Sequence, residues 1–289
     1  MSAVQDGSSE PIQVLYALHE GFDTLDFAGP FEAMWHAKHD IKDASTRAFE
    51  ITTCSPKGSV TSTQGMLMKT DLDIATATDD LKEYDVLVIP GGGTDAILKD
   101  NSQPQSLIKA FAALQQSDST KERTLLSICT GSLLLAQAGV LQGLSATTHP
   151  DHYTKLEILC KDAARNGELA QTDVMEERYV VNNARFELGE NIDENPFILS
   201  KRPDGRRKSI ARKGSNAWKE SNKRRESNAR RASLRLGGLR VITAGGIMAG
   251  VDATLYLIAA MVSTESAEEV ARLLQFQWQK GVTVDGIDV

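Results

Sequence analysis

Four settings in this chain hold residues able to do chemistry: a cysteine where an apolar run meets a helical stretch, an aspartate ahead of Gly-Pro, a triple glycine after an apolar run, and a histidine in Thr-Thr-His. The cysteine is Cys129, in TLLSICTGSLLLAQAG. Residues 125–128 are a short apolar run that stops at the thiol, and Thr130-Gly131-Ser132 opens an apolar helical stretch. A strand that turns into a helix at one polar residue is a nucleophile elbow, which presents that side chain at the strand's carboxyl end. Unpaired helix-start amides and the helix dipole favour a thiolate there, so the pattern predicts a lowered thiol pKa. The competing assignment is a small buried hydrophobe, as free cysteines commonly are.

A reactive thiol needs a proton donor or acceptor and donors for developing negative charge. Asp26, between Leu25 and Phe27 and just before Gly29-Pro30, is the candidate for the first. Like-charge repulsion and burial would keep such a carboxyl protonated beside a thiolate, so it could donate to sulfur and later to substrate. It could equally be a helix N-cap. Gly91 and Gly92, after Ile89-Pro90, offer backbone N–H groups without side-chain obstruction, which suits an oxyanion hole or a plain tight turn. The Thr130 N–H is a second donor, and its hydroxyl could touch substrate. His149, in SATTHP, is either a catalytic group or a histidine satisfied by local hydrogen bonds, while His152 reads as a surface residue.

The elements that must position these residues alternate. Strands are expected at 12–18, 47–53, 84–90, 124–128, 178–182 and 240–243, with a short one near 144–147 and short strands or a hairpin within 60–74. Helices are expected at 26–38, 95–99, 104–116, 130–138, near 152–165, at 246–262 and at 266–279. This alternation predicts an α/β fold with a mostly parallel sheet covered on both faces. Sites in such sheets lie at the carboxyl ends of strands, where Asp26, Gly91 and Cys129 can converge.

The ordered motifs LDFAGP, IPGGG, ICTGS, SATTH and AGGIMAGVD resemble those of the ThiJ/PfpI superfamily, and most nearly its isonitrile (isocyanide) hydratase branch. The resemblance covers roughly residues 12–185 and 238–280. It implies a three-layer, flavodoxin-like sandwich of the class I glutamine amidotransferase type, with a nucleophile elbow. It implies Cys129 as nucleophile, Asp26 as its acidic partner, oxyanion amides at Gly91 and Gly92, and Asp252 as a support that holds a neighbouring backbone. Asp252 also reads as an acid in a helix first turn. Related glyoxalase-type members use a histidine at the place of His149 as base. The hydratases usually read ATTHW there, whereas this chain has Pro150, a departure that bears on substrate. The resemblance further implies a small-molecule substrate, no organic cofactor, and a homodimer. Three functions follow: isonitrile hydration, glyoxalase or deglycase work on methylglyoxal, and a non-catalytic redox-sensing or protective role for an oxidisable Cys129.

Composition narrows the rest. Three widely spaced cysteines, Cys54, Cys129 and Cys160, argue against a disulfide framework and a zinc site, so no metal is expected. No run of about 18 apolar residues suggests a membrane span, and the polar start MSAVQDGSSEP lacks a secretory pattern, so a cytoplasmic location is expected. No P-loop or dinucleotide fingerprint is present. Residues 1–11 read as a disordered tail, and 12–289 as one domain interrupted by an insertion at about 185–238. Residues 201–235 hold 14 Lys and Arg against 3 Asp and Glu; the rest of the chain holds 18 against 36. An acidic globule of net −18 thus carries a basic insert of net +11. Its RRKS, RRES and RRAS resemble basophilic kinase sites at Ser209, Ser227 and Ser233. A kinase or an acidic partner is therefore expected at 201–235. Nucleic acid is not, because Trp218 alone offers a stacking ring there.

Overall fold

The apolar runs that alternate with helical stretches pair into one sheet. The computed structural model describes residues 10–165, 171–183, 198–201 and 235–284. Its strands include β1 (Ile12–Ala17), β2 (Phe49–Ser55), β3 (Ser59–Thr61), β4 (Leu67–Lys69), β5 (Leu72–Asp73), β6 (Val86–Ile89) and β7 (Thr124–Ile128). There follow β8 (Ser145–Ala146), β9 (Asp173–Val174), β10 (Tyr179–Asn182), β11 (Ile198–Lys201), β12 (Arg240–Ala244) and β13 (Gly281–Val284). Nine of these form the main sheet, in the order β11-β13-β10-β12-β7-β6-β1-β2-β5. Every neighbouring pair is parallel except β10 against β12. The expected hairpin forms apart from this sheet as β3 and β4.

Among the described residues the α-helices are α1 (Thr24–His36), α2 (Ile74–Asp79), α3 (Asp95–Asp100), α4 (Gln105–Ser117), α5 (Gly131–Gln137), α6 (Tyr153–Arg165), α7 (Ile247–Met261) and α8 (Thr264–Leu273). Strand side chains alternate between two cores. Val14, Tyr16, Leu126 and Ile242 pack with Phe27 and Met34 of α1, Leu255 and Ile258 of α7, and Val270 of α8. Leu15, Leu87, Leu125 and Val241 pack with Ile74, Ile97, Phe111, Leu133 and Leu156, from α2 to α6. Helices therefore cover both faces, as expected for the three-layer α/β sandwich. No helix among the described residues is long and apolar enough to cross a membrane.

Three expectations need correction. The last helix was expected to run to residue 279, but it ends at Leu273, and Gln275 at φ 50° turns the chain out of helical geometry. Its start is set by Ser263, whose side chain caps the Ser266 N–H. The four-residue strand β13 follows; its Gly281 lies where a Cβ would sit 2.4 Å from the Tyr179 ring. Finally, the segment read as an insertion contributes to the sheet, because Ile198–Lys201 pairs with β13 at its edge. The tail 1–9 and residues 202–234, with Ser209, Ser227 and Ser233, lie outside the described residues.

Candidate active site

β1, β6, β7 and β12 run parallel, so the segments following them meet at one edge of the sheet. At the end of β7 the chain turns at Cys129 with φ 55°, a left-handed conformation uncommon for a residue with a Cβ. Four hydrogen bonds hold it there. Its N–H donates to the carbonyls of Gly245 (2.8 Å) and Ala244 (3.1 Å). Its own carbonyl accepts from Ser132 Oγ (3.1 Å) and Thr148 Oγ1 (3.0 Å). Surroundings that over-determine a strained residue are characteristic of functional turns.

Asp26 comes from the first turn of α1 and is fully buried. The N-cap of that helix is Asp23, whose side chain accepts from the Leu25 N–H, so Asp26 is not spent on capping. Its Oδ2 accepts from the Gly91 N–H at 3.0 Å. Its Oδ1 has no hydrogen-bond partner among the described residues. Burial, and then the nearby Asp23 charge, push this carboxyl up to about 7, while the Gly91 N–H and the Cys129 thiol against it offset part of the rise.

The glycine loop explains how the two groups come so close. A Cβ at Gly91 would lie 2.6 Å from Thr130 N, 2.7 Å from Thr130 Oγ1 and 2.9 Å from Asp26 Oδ2. Only a residue without a side chain lets the loop pass between the elbow and the acid. The expectation that Gly91 and Gly92 present open oxyanion amides is corrected here. The Gly91 N–H is taken by Asp26, and the Gly92 N–H donates to Thr130 Oγ1 at 2.8 Å. Thr130 Oγ1 in turn donates to the Gly92 carbonyl at 3.0 Å. The loop therefore acts as a clamp on the acid and on Thr130. The Thr130 N–H remains directed at the Cys129 sulfur.

The lowered thiol pKa expected from the elbow is also corrected. Burial, and then the charge of Asp26, push Cys129 up to about 12, and the Thr130 backbone and side chain reverse only part of this. At 8% exposure the desolvation of a thiolate outweighs one helix-start amide. Because the Asp26 charge raises the Cys129 thiol, the two titrate as a pair, and once the carboxyl has ionised, above about 7, one proton is left between them.

His149 caps the turn Pro150–His152, and its Nδ1 accepts from the Asp151 N–H at 3.2 Å. A neutral ring bonded in this way carries its proton on Nε2. Its Nε2 side faces Gly246, where a Cβ would lie 3.1 Å from Cδ2 and 3.5 Å from Nε2. The direct link from this segment to the elbow is made by Thr148, which sequence reasoning passed over although it stands beside His149. Asp252 lies in the second turn of α7, fully buried, so it is not a first-turn acid. It accepts from Arg178 Nε and from the Gln279 N–H, both at 2.6 Å. The Arg178 carbonyl accepts from the Gly245 N–H at 3.0 Å, which connects Asp252 to the carbonyl that holds the Cys129 N–H. Among the described residues no cluster of three metal-ligating side chains occurs.

Residues 12–185 match the family model for the DJ-1/PfpI family. The chain belongs to the DJ-1/PfpI family. Similar proteins include an isonitrile hydratase of Pseudomonas putida, 29% identical over 148 residues, 51% of this chain and 57% of that one. They also include the deglycase PH1704 of Pyrococcus horikoshii, 26% identical over 139 residues, 48% of this chain and 73% of that one. Among solved structures, Schizosaccharomyces pombe DJ-1 superposes with a TM-score of 0.55 at 16% identity, covering 92% of this chain and all of that one, which is a likeness of fold. The family thus contains enzymes of two kinds, and the chain resembles both at low identity.

Proposed function

We propose that this protein is a cofactor-independent cysteine enzyme that hydrates isonitriles to N-substituted formamides. The observation that carries the reading is the buried Asp26 carboxyl, paired with Cys129, raised to about 7 and bearing one unpartnered oxygen. Such a group can give and take a proton near neutral pH, as a general acid–base must. In the proposed cycle the pair's proton lies on Asp26 as the Cys129 sulfur bonds to the terminal carbon of R–N≡C. Asp26 delivers that proton to the same carbon, giving a thioimidate, R–N=CH–S. Water then adds to the carbon while Asp26 takes up a proton. The tetrahedral adduct expels sulfur as the thiolate while its hydroxyl proton passes to nitrogen, leaving R–NH–CHO and the original pair. The Thr130 N–H, directed at the sulfur, stabilises it in both its arriving and its leaving state.

The deglycase reading uses the same pair on a neutral dicarbonyl, with His149 as an added base. The hydrogen bond from Asp151 to His149 Nδ1 puts the proton of a neutral ring on Nε2, facing Gly246, and leaves no vacant lone pair on that nitrogen. This favours a route that needs only Cys129 and Asp26. The deciding assay follows formamide production from cyclohexyl isocyanide by the wild type, Cys129→Ala, Asp26→Asn and His149→Ala, with methylglyoxal run in parallel. Formamide formation should vanish in the first two variants and persist in the third. Absence of formamide from the wild type, with Cys129-dependent loss of methylglyoxal, would replace this reading by the deglycase one.

A further inference from the structure

His19, just beyond β1, has no part in the cycle above, yet it is 1% exposed and touches the site's clamp. Its Nδ1 lies 3.0 Å from the Glu20 carbonyl and its Nε2 lies 3.2 Å from the Pro90 carbonyl. A neutral imidazole has one N–H, so only one of these contacts is an ordinary hydrogen bond. Burial holds the ring's pKa below its usual value, against the pull of both carbonyls and of the Glu20 charge, which keeps the ring neutral. Glu20 is exposed, so its carbonyl can turn to water. Pro90 is buried, and among the described residues no other donor reaches its carbonyl. Leaving a buried carbonyl unpaired is the costlier choice, so the proton belongs on Nε2.

The Pro90 carbonyl and the Gly91 N–H belong to one peptide unit, which is planar. Fixing the oxygen at one end fixes the direction of the N–H at the other, and that N–H is the donor to Asp26 Oδ2 at 3.0 Å. Donation to the carbonyl also polarises the unit and strengthens its N–H as a donor. We propose that His19 is a positioning residue, which through the Pro90–Gly91 peptide sets how firmly the Gly91 N–H holds the Asp26 carboxylate. The groups that face Asp26 are Asp23, Cys129 and the Gly91 N–H; Glu20 faces His19. The inference rests on Asp26 acting as the site's acid–base, and not on the identity of the substrate.

Two measurements test it without a substrate. Nitrogen-15 spectra of the histidine-labelled wild type should show one buried ring protonated at Nε2. The pH dependence of Cys129 alkylation by iodoacetamide, read by peptide mass spectrometry, reports the first titration of the Asp26–Cys129 pair. In His19→Leu that midpoint should rise by roughly half a unit, slowing alkylation about 3-fold below it. His19→Gln, whose amide N–H can stand in for Nε2–H, should restore the wild-type midpoint. A ring protonated on Nδ1 alone, or a folded His19→Leu with an unmoved midpoint, overturns the proposal. Should His19→Leu not fold, the wild-type spectrum decides. A wild type that makes no formamide but behaves as expected here leaves this inference standing while the hydratase reading fails.

Discussion

Replacing Asp26 by Asn should make the protein more stable as the pH rises. The carboxyl is pushed from 3.8 to about 7 by burial first and the Asp23 charge second. Below pH 4 it is protonated in both the folded and unfolded states and costs nothing. Between about 4 and 7 the unfolded chain ionises while the folded one stays protonated, so stability falls with rising pH. Above 7 the penalty is complete. A shift of roughly 3 units corresponds to about 4 kcal/mol at 1.36 kcal/mol per unit. Asn has nearly the same shape, keeps an oxygen for the Gly91 N–H, and cannot ionise. The exposed carboxyls with lowered pKa, such as Asp73, Asp118 and Glu269, contribute with the opposite sign, but they are common to both proteins and cancel in the difference. The measurement is the Tm of both proteins from pH 4 to 9. At about 2 °C per kcal/mol for a chain of this size, the variant's advantage should grow by roughly 8 °C between pH 4 and 8 and then level off. A difference that stays flat across this range, or one in which the wild type gains on the variant with rising pH, would refute the raised carboxyl. The same substitution should abolish the step near pH 7 in Cys129 alkylation, because the pair's proton then has only sulfur to occupy.

Two further outcomes follow from particular residues. Gly91→Ala should lose activity by at least 100-fold and destabilise the fold, since its Cβ would meet Thr130 N, Thr130 Oγ1 and Asp26 Oδ2 within 2.9 Å; a variant with wild-type kcat/KM would show that the clamp is not needed. The sequence alone carries the second. Incubation of the native protein with a basophilic serine kinase and ATP should phosphorylate Ser209 and Ser233, and Ser227 within the same pattern, each phosphate adding about −1.5 to −2 to the basic insert. Mass spectrometry that finds no phosphoserine at these positions would dismiss the motif.

The elbow was legible because an apolar five-residue strand, β7, stops at a single polar residue before a helix. The parallel sheet was legible because each strand keeps its own apolar signature. Asp26 could not be separated from a capping aspartate by pattern, since Asp23 three residues earlier fits the same role, and only the helix start decides between them. The state of the Gly91 and Gly92 amides was not legible either. It depends on Asp26 and on Thr130, 65 and 38 positions away, reaching the same loop. β13 escaped notice because the helical reading was carried to residue 279, just before it, and β11 because it sits in a segment whose charge dominates its composition.

The thiol is where pattern and structure diverge most, and the divergence bears on function. An elbow argues for a thiolate when its cysteine faces water and helix-start amides alone. Here enclosure penalises charge on sulfur and on carboxyl alike, and the carboxylate raises the thiol further, so above about pH 7 the site holds one proton and one negative charge over two groups. A second anion entering would meet that charge in poorly screened surroundings, where carboxyl and thiol are both already raised by burial. A neutral electrophile meets no such repulsion. It can draw out the thiolate tautomer of the pair as its own bond to sulfur forms, with the proton waiting on Asp26 for the atom that becomes basic. Isonitriles and small dicarbonyls are both of this kind. What separates them is whether the new basic atom is the carbon that sulfur attacks, within reach of the same carboxyl, or an oxygen that requires a donor elsewhere. With the Gly91 and Gly92 amides already occupied, the arrangement serves the carbon better than the oxygen.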